Sequence, residues 1–222
     1  MNRLLPLTIA RQVLNHLPES GLAYTYDSEK HRLIFLDAHN NELFYFRLPL
    51  VLSPNLATDE ELSKVNYIIL LIQSGHCAMG FFENGLNLDH KVFRSYMVRM
   101  KQGVSQVKYL KTKGKSRAGS RVRLAETSEF FENINQRLQD YFADYPIHRI
   151  ALSCSKILIP YLFNSKVPTP FTKNDERVYK IPKHIPIPNY EVLLDTNKFL
   201  LRGEFVYEEK YQNQINAFLN FQ

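Results

Sequence analysis

The chain has 222 residues, 45% of them hydrophobic and 13% aromatic, with a formal net charge of +6. That composition can bury a sizeable core and excludes a disordered protein, and the length suggests one domain with at most a small companion. The longest apolar runs, such as Tyr67 to Ile72, fall far short of the roughly 20 residues needed to span a bilayer.

In chain order, Thr8 to Leu17 carries a short helical pattern, and Leu22–Tyr26, Leu33–Asp37 and Leu43–Arg47 read as alternating strands. Ala38-His-Asn-Asn41 joins the last two as a hairpin-type turn, because Asn tolerates positive φ. Residues 1–57 are thus expected to form a small β-meander ending near Pro54, with Ser53 to Lys64 as a boundary segment. A second block opens with three strands, Val65–Gln73, His76–Phe82 and Leu86–Met97, joined by tight turns at Gly75 and Glu83-Asn-Gly85. A helix is predicted from Gly119 to Tyr141, with Leu124, Phe131, Ile134, Leu138 and Phe142 close to one face. Ile147–Ser153 then reads as a buried strand, Lys156–Phe163 as a short helix, Arg177–Ile181 as a short strand and Asn189–Asn197 as a helix. This alternation implies parallel pairing on one side of the sheet. The expected division is 1–57, an α/β domain at 64–200, and a helical tail at 201–222 whose Tyr211, Ile215, Phe218 and Leu219 dock as a closing helix.

The charge is unevenly placed. From Lys91 to Arg123 there are eleven Lys or Arg and no Asp or Glu, whereas the other 189 residues hold 17 basic and 22 acidic side chains. A basic stretch of this kind repels itself, and its usual purpose is to meet a polyanion. Glycines and hydroxyls within it, at Gly103, Ser105, Gly114, Ser116, Gly119 and Ser120, let backbone N–H groups approach phosphates closely. The run also leads into the predicted helix with Arg117, Arg121 and Arg123, where the dipole favours acids. A phosphate would supply the missing negative charge, gaining from the dipole, the free N–H groups and the Arg forks together. Gly114-Lys115-Ser116 is not a nucleotide-binding phosphate loop, because Tyr109 stands where that motif needs its first Gly.

Other candidates carry less. Cys77 and Cys154 lie in strand-like segments without a paired spacing, and read as buried thiols. The seven histidines fall in no ligand spacing, so neither a metal nor another cofactor is expected. Asp89 and His90 are neighbours on a strand and should point to opposite faces, which argues against a shared acid/base site. Tyr96 and Tyr109 lie within the basic run and could stack on bases or simply pack. The start lacks a sustained apolar region and a small-residue cleavage site, so a cytoplasmic protein is expected.

The stretch Met97-Val-Arg-Met-Lys-Gln-Gly-Val-Ser-Gln106, followed by Lys113-Gly-Lys-Ser-Arg-Ala-Gly-Ser-Arg-Val-Arg123 and a helix beginning Leu124-Ala-Glu, resembles the Vms-like release factor family. These proteins are relatives of the eukaryotic and archaeal class-I peptide-chain release factors and of a ribosome quality-control tRNA hydrolase. Gly103 and Gln106 match the family's Gly-x-x-Gln, and Ser116, Gly119, Ser120, Arg121 and Arg123 its basic segment; the resemblance covers about Val65 to Asn197. It implies an α/β domain like the central domain of class-I release factors, a mixed sheet with helices, here after a small β-rich N-terminal region. It also implies a loop reaching the peptidyl-transferase centre, with the tRNA 3′ end, large-subunit ribosomal RNA and the ribosome as partners. Gly103 and Gln106 are then the catalytic candidates, and Lys101, Lys108, Lys111, Lys113, Lys115, Ser116, Arg117, Ser120, Arg121 and Arg123 the RNA-binding ones. Either hydrolysis of the peptidyl ester or cleavage of the tRNA near its 3′ end is compatible, as is a non-catalytic rescue factor that binds without cutting. The chain lacks Gly-Gly-Gln, a zinc finger, ankyrin repeats and a separate codon-reading domain. Codon-dependent termination is therefore not implied, and a minimal bacterial rescue or quality-control factor is the expectation.

Overall fold

The computed structural model describes residues 1–53, 64–95 and 116–219, with residues 116–124 described by their backbone alone. Strand Asn66–Gln73 (β5) is an apolar run buried on both faces and forms the centre of a five-stranded mixed sheet. His76–Glu83 (β6) and Leu86–Arg94 (β7) continue it as an antiparallel meander, while Arg149–Cys154 (β8) and Val178–Lys180 (β9) add on the other side in parallel. The order is β7-β6-β5-β8-β9. Parallel strands need a crossover over one face of the sheet. The 29-residue helix Ser116–Asp144 (α2) lies in the connection leading to β8, and Ile159–Phe163 (α3) in the one leading to β9.

Period-two alternation along β5 sends Ile68, Leu70 and Ile72 towards α2, where Phe130, Phe131, Ile134, Leu138 and Tyr141 form the apolar stripe. Tyr67, Ile69 and Leu71 face the other way, into a cluster that contains Leu193 and Leu200 of helix Tyr190–Leu200 (α4). The expected stripe is correct for Phe131, Ile134 and Leu138, and Phe142 packs against the same cluster partly buried; Phe130 and Tyr141 complete it, while the side chain of Leu124 lies outside the described residues. Asn189 caps α4, its side-chain oxygen accepting the Val192 N–H at 2.8 Å. Buried Asn197 accepts the Tyr67 hydroxyl at 2.5 Å and donates to the Gly85 carbonyl at 2.8 Å, tying α4 to the sheet.

The second sheet is antiparallel throughout and joins both ends of the chain. Asn2–Leu5 (β1), Ala23–Asp27 (β2), Arg32–Leu36 (β3), Glu42–Arg47 (β4) and Gly203–Tyr207 (β10) assemble in the order β1-β10-β4-β3-β2. Leu7–His16 (α1) and Gln212–Leu219 (α5) cover one face, over Leu33, Phe35, Phe44, Phe46 and Phe205. The segment 201–222, expected to be a helical tail, thus begins with a strand, and only its later part is the docked helix. The reason is the alternation in Gly203-Glu-Phe-Val-Tyr207, which buries Phe205 and Tyr207 between β1 and β4. Gly203 is required there, since a Cβ would lie 2.7 Å from Phe46 Cζ and 3.1 Å from Ala10 Cβ. β1 was equally unforeseen, and without β10 it has no partner strand.

The two sheets meet through a polar junction. His31 is 1% exposed; its Nδ1 accepts the Tyr26 hydroxyl at 2.6 Å and its Nε2–H donates to the Pro49 carbonyl at 3.1 Å. Arg149, at the start of β8, places a guanidinium nitrogen 3.0 Å from Nδ1 and donates from the other to the Leu52 carbonyl at 3.1 Å. Arg47 pairs with Glu204 at 3.1 Å and lies 4.4 Å above the Phe199 ring, so α4 is clasped from the first sheet. Among the described residues no helix is long and apolar enough to cross a membrane.

Candidate nucleic-acid interface

Strand β7 and helix α2 hold the two ends of the basic segment. The Ser95 N–H donates to the Gly75 carbonyl at 2.8 Å, and its hydroxyl donates to the Glu126 carbonyl at 3.2 Å. Ser95 therefore fixes the end of β7 against both the β5–β6 turn and the third turn of α2. Lower down, Asp89 pairs with Arg137, so α2 runs antiparallel to β7. Because Glu126 is level with the sheet edge, the ten residues before it carry α2 about 15 Å beyond that edge at 1.5 Å per residue. This overshooting end has no acid in its first turn.

Ser116, Arg117, Ser120, Arg121 and Arg123 occupy those projecting turns. Lys101, Gly103, Gln106, Lys108, Lys111, Lys113 and Lys115 lie outside the described residues, as do Tyr96 and Tyr109 and most of the segment from Ser53 to Lys64. What the structure does place is their mounting. Arg94, exposed at the end of β7, borders two clefts. One of about 310 Å³ runs along Ser95, Glu126, Glu129 and Asn133, and the other, about 690 Å³, along Val92, Asn189, Tyr190 and Glu191. Sequence reasoning counted Arg94 among the cations but gave it no role, and Ser95 carried no signal, because its value lies in a contact with a residue thirty-one positions away.

Several other groups are removed from consideration as chemistry. Asp89 faces α2 and Arg137, while His90 stacks on Tyr190 of α4 with ring centroids 3.8 Å apart, so the two do stand on opposite faces. Cys77 and Cys154 are free thiols one strand to either side of Ile72. Burial pushes the Cys154 thiol up to about 12 and Cys77 well above the ordinary range, so neither is a nucleophile at neutral pH. His31 is held neutral by burial, then by Arg149, and belongs to the sheet junction. Among the described residues no group of three or more His, Cys, Asp or Glu is arranged to hold a metal ion.

No curated protein matches the chain. Among solved structures, a chain titled "Vms1 mitochondrial localization core" matches with a TM-score of 0.43 and 15% identity, covering 89% of this chain and 80% of that one. A model of the Bacteroidetes VLRF1 release factor family matches residues 67–208, well over half of the chain and inclusive of the whole basic segment. The chain belongs to the Bacteroidetes VLRF1 release factor family.

Proposed function

We propose that this protein is a ribosome-associated rescue factor that cleaves peptidyl-tRNA on stalled ribosomes or free large subunits through the Gly103-Val-Ser-Gln106 loop. The observation that carries the reading is the family match, whose range of residues 67–208 includes that loop. Two features of the molecule support it. The basic segment is free of acids over 33 residues, and its ends are anchored at one sheet edge by Ser95, with α2 projecting beyond that edge. A stiff platform with a cationic extension suits entry into a crowded RNA pocket.

In this reading a water attacks the carbonyl carbon of the ester, the bond to the tRNA 3′-terminal ribose oxygen breaks, and the water's proton ends on that oxygen. No charged side chain is needed for attack. Gln106 orients the water or donates to the developing oxyanion, which in a water-poor site is worth much more than in bulk solvent. Gly103 lets the backbone bend where a Cβ would crowd RNA. Lys101, Lys108, Lys111, Lys113 and Lys115, with Ser116, Arg117, Ser120, Arg121 and Arg123, hold phosphates of the tRNA 3′ end and the surrounding ribosomal RNA.

The test is single-turnover cleavage of peptidyl-tRNA on large subunits, resolving released peptide and the tRNA 3′ terminus separately. Gln106→Ala is expected to slow peptide release by about 100-fold or more while leaving affinity for the subunit unchanged. Wild-type rates for Gln106→Ala would refute the assignment. Release of a shortened tRNA 3′ end would move the cut to a phosphodiester, and tight binding without any product would make the protein a non-catalytic rescue factor.

A further inference from the structure

Cations and acids in the mixed sheet are segregated along the strand direction. The carboxyl ends of β5, β7 and β8 and the segment after β9 share one edge, because β5, β7, β8 and β9 all run the same way. The connections there, 74–75, 155–158 and 181–189, contain no Asp or Glu. They and the flanking strand ends carry His76, Arg94, Lys156, Lys183 and His184, and none of these is ion-paired among the described residues. The nearest acids are Glu191, which shares a cleft with Arg94, and Glu126 and Glu129 on α2. The opposite edge holds Glu83, Asp140, Asp144, Asp175 and Glu176. Of its cations, Lys64 pairs with Glu83 at 3.2 Å and Arg177 with Asp175 at 2.7 Å.

We infer that this carboxyl edge, on connections separate from the Gln106 loop, is a second contact surface for the phosphodiester backbone of the RNA substrate, with Lys156 and Lys183 as its principal contacts. Lys156 follows β8 and Arg94 ends β7, three strand spacings away, or about 14 Å. Cations spread over that distance fit a polymer of phosphates and not a small anion. The segment bearing Lys183 and His184 is held at this edge, since the Gln73 side-chain amide donates to the Ile185 carbonyl. Lys183 is exposed, and its stem runs along α4 to place Nζ 5.5 Å from the centre of the Phe199 ring. Ile157 and Ile187, 79% and 62% exposed, sit beside these cations and offer apolar contact to sugar or base faces.

The inference rests on the RNA substrate proposed above, so its test separates the two. Wild type, the double variant Lys156→Glu/Lys183→Glu and the amino-edge control Lys64→Glu are titrated against fluorescently labelled deacylated tRNA over a KCl series. Their thermal unfolding midpoints verify that each is folded. The double variant is expected to lose about tenfold or more in affinity, and its slope of log K against log salt to become shallower by about 1.5, two phosphate contacts having gone. Lys64→Glu is expected to bind like wild type. Should the Glu pair disturb folding, Lys156→Gln/Lys183→Gln is used, with the same direction expected. A folded double variant with wild-type affinity and salt slope, or failure of wild type itself to bind tRNA, overturns the second surface and leaves standing the rescue-factor reading, which the cleavage assay on large subunits tests.

Discussion

Lowering the pH should destabilise this protein well above the range in which carboxylates titrate, and His31 is the reason. The residue sits in the turn before β3 with φ of 49° and is 1% exposed. Both ring nitrogens are committed, one accepting from Tyr26 and the other donating to Pro49. A second ring proton would displace the Tyr26 hydroxyl hydrogen and create a cation against the Arg149 guanidinium 3.0 Å away. Burial first, then that guanidinium, lowers the imidazole to about 3 from its ordinary 6.5. The unfolded chain therefore takes up a proton below about 6.5 that the native protein refuses down to about 3. The unfolded state binds more protons, so stability falls as pH falls, by about 1.4 kcal/mol per pH unit once well below the unfolded value. Between pH 7.5 and pH 5 the loss from this one group is about 2 kcal/mol, a large share of a typical domain's 5–15 kcal/mol. Asp175, whose carboxylate is held low by Arg177, loses stabilisation in the same direction but only further into acid.

The assay is urea unfolding at a series of pH values from 7.5 to 5, comparing wild type with His31→Asn, since Asn accepts the positive φ at this position. The variant should be less stable at neutral pH, having lost the ring's contacts, and its stability should decline less towards pH 5. A parallel pH dependence in the two proteins, or an imidazole signal of His31 that titrates near 6.5 in the native state, would refute the reasoning.

Two backbone-level predictions concern how the sheets close. Gly203→Ala places a methyl group 2.7 Å from Phe46 Cζ and 3.1 Å from Ala10 Cβ in a filled core, and should cost about 1–3 kcal/mol in urea unfolding; an unchanged midpoint would mean that α1 does not pack on β10 as described. Asn197→Ala removes the acceptor of the buried Tyr67 hydroxyl and the donor to the Gly85 carbonyl. The expected loss is about 2–3 kcal/mol from leaving both groups unpaired, and a loss below about half a kcal/mol would show that water replaces the amide.

The mixed sheet was largely legible because its signals are local. Tyr67 to Ile72 is a continuous apolar run with a Gly at each following turn, and that is what a central strand covered on both faces looks like. The antiparallel sheet was only partly legible. Its β2-β3-β4 meander follows from alternation and from the Asn40 turn, where φ is 63°. β1 and β10, by contrast, are four and five residues long and pair across some two hundred positions, with Asn2 opposite Val206. Alternation over so few residues does not by itself mark a strand, and the contact that makes them strands is non-local. The interface divides in the same way. Gly103 and Gln106 were read as a motif, whereas Arg94, Lys156 and Lys183 belong to one surface only because three connections end at one sheet edge.

The sign of charge along α2 ties the site to the fold. A helix N-terminus attracts anions, and each cation placed there costs roughly 0.3–1 kcal/mol when exposed. This helix begins with Arg117, Arg121 and Arg123 and turns acidic only at Glu126, Glu129 and Glu132. The change of sign falls where the helix reaches the sheet, since Glu126 is the residue whose carbonyl Ser95 holds. Acids thus sit where the helix is supported by packing, and cations on the turns before it reaches the sheet. A helix optimised for its own stability would have the opposite order. The cations on the projecting turns carry a cost, and a phosphate bound at the N-terminus would reverse it through the same dipole. Stability given up locally in this way fits a polyanionic ligand, which is the physical content of the proposal that this end of the molecule meets RNA.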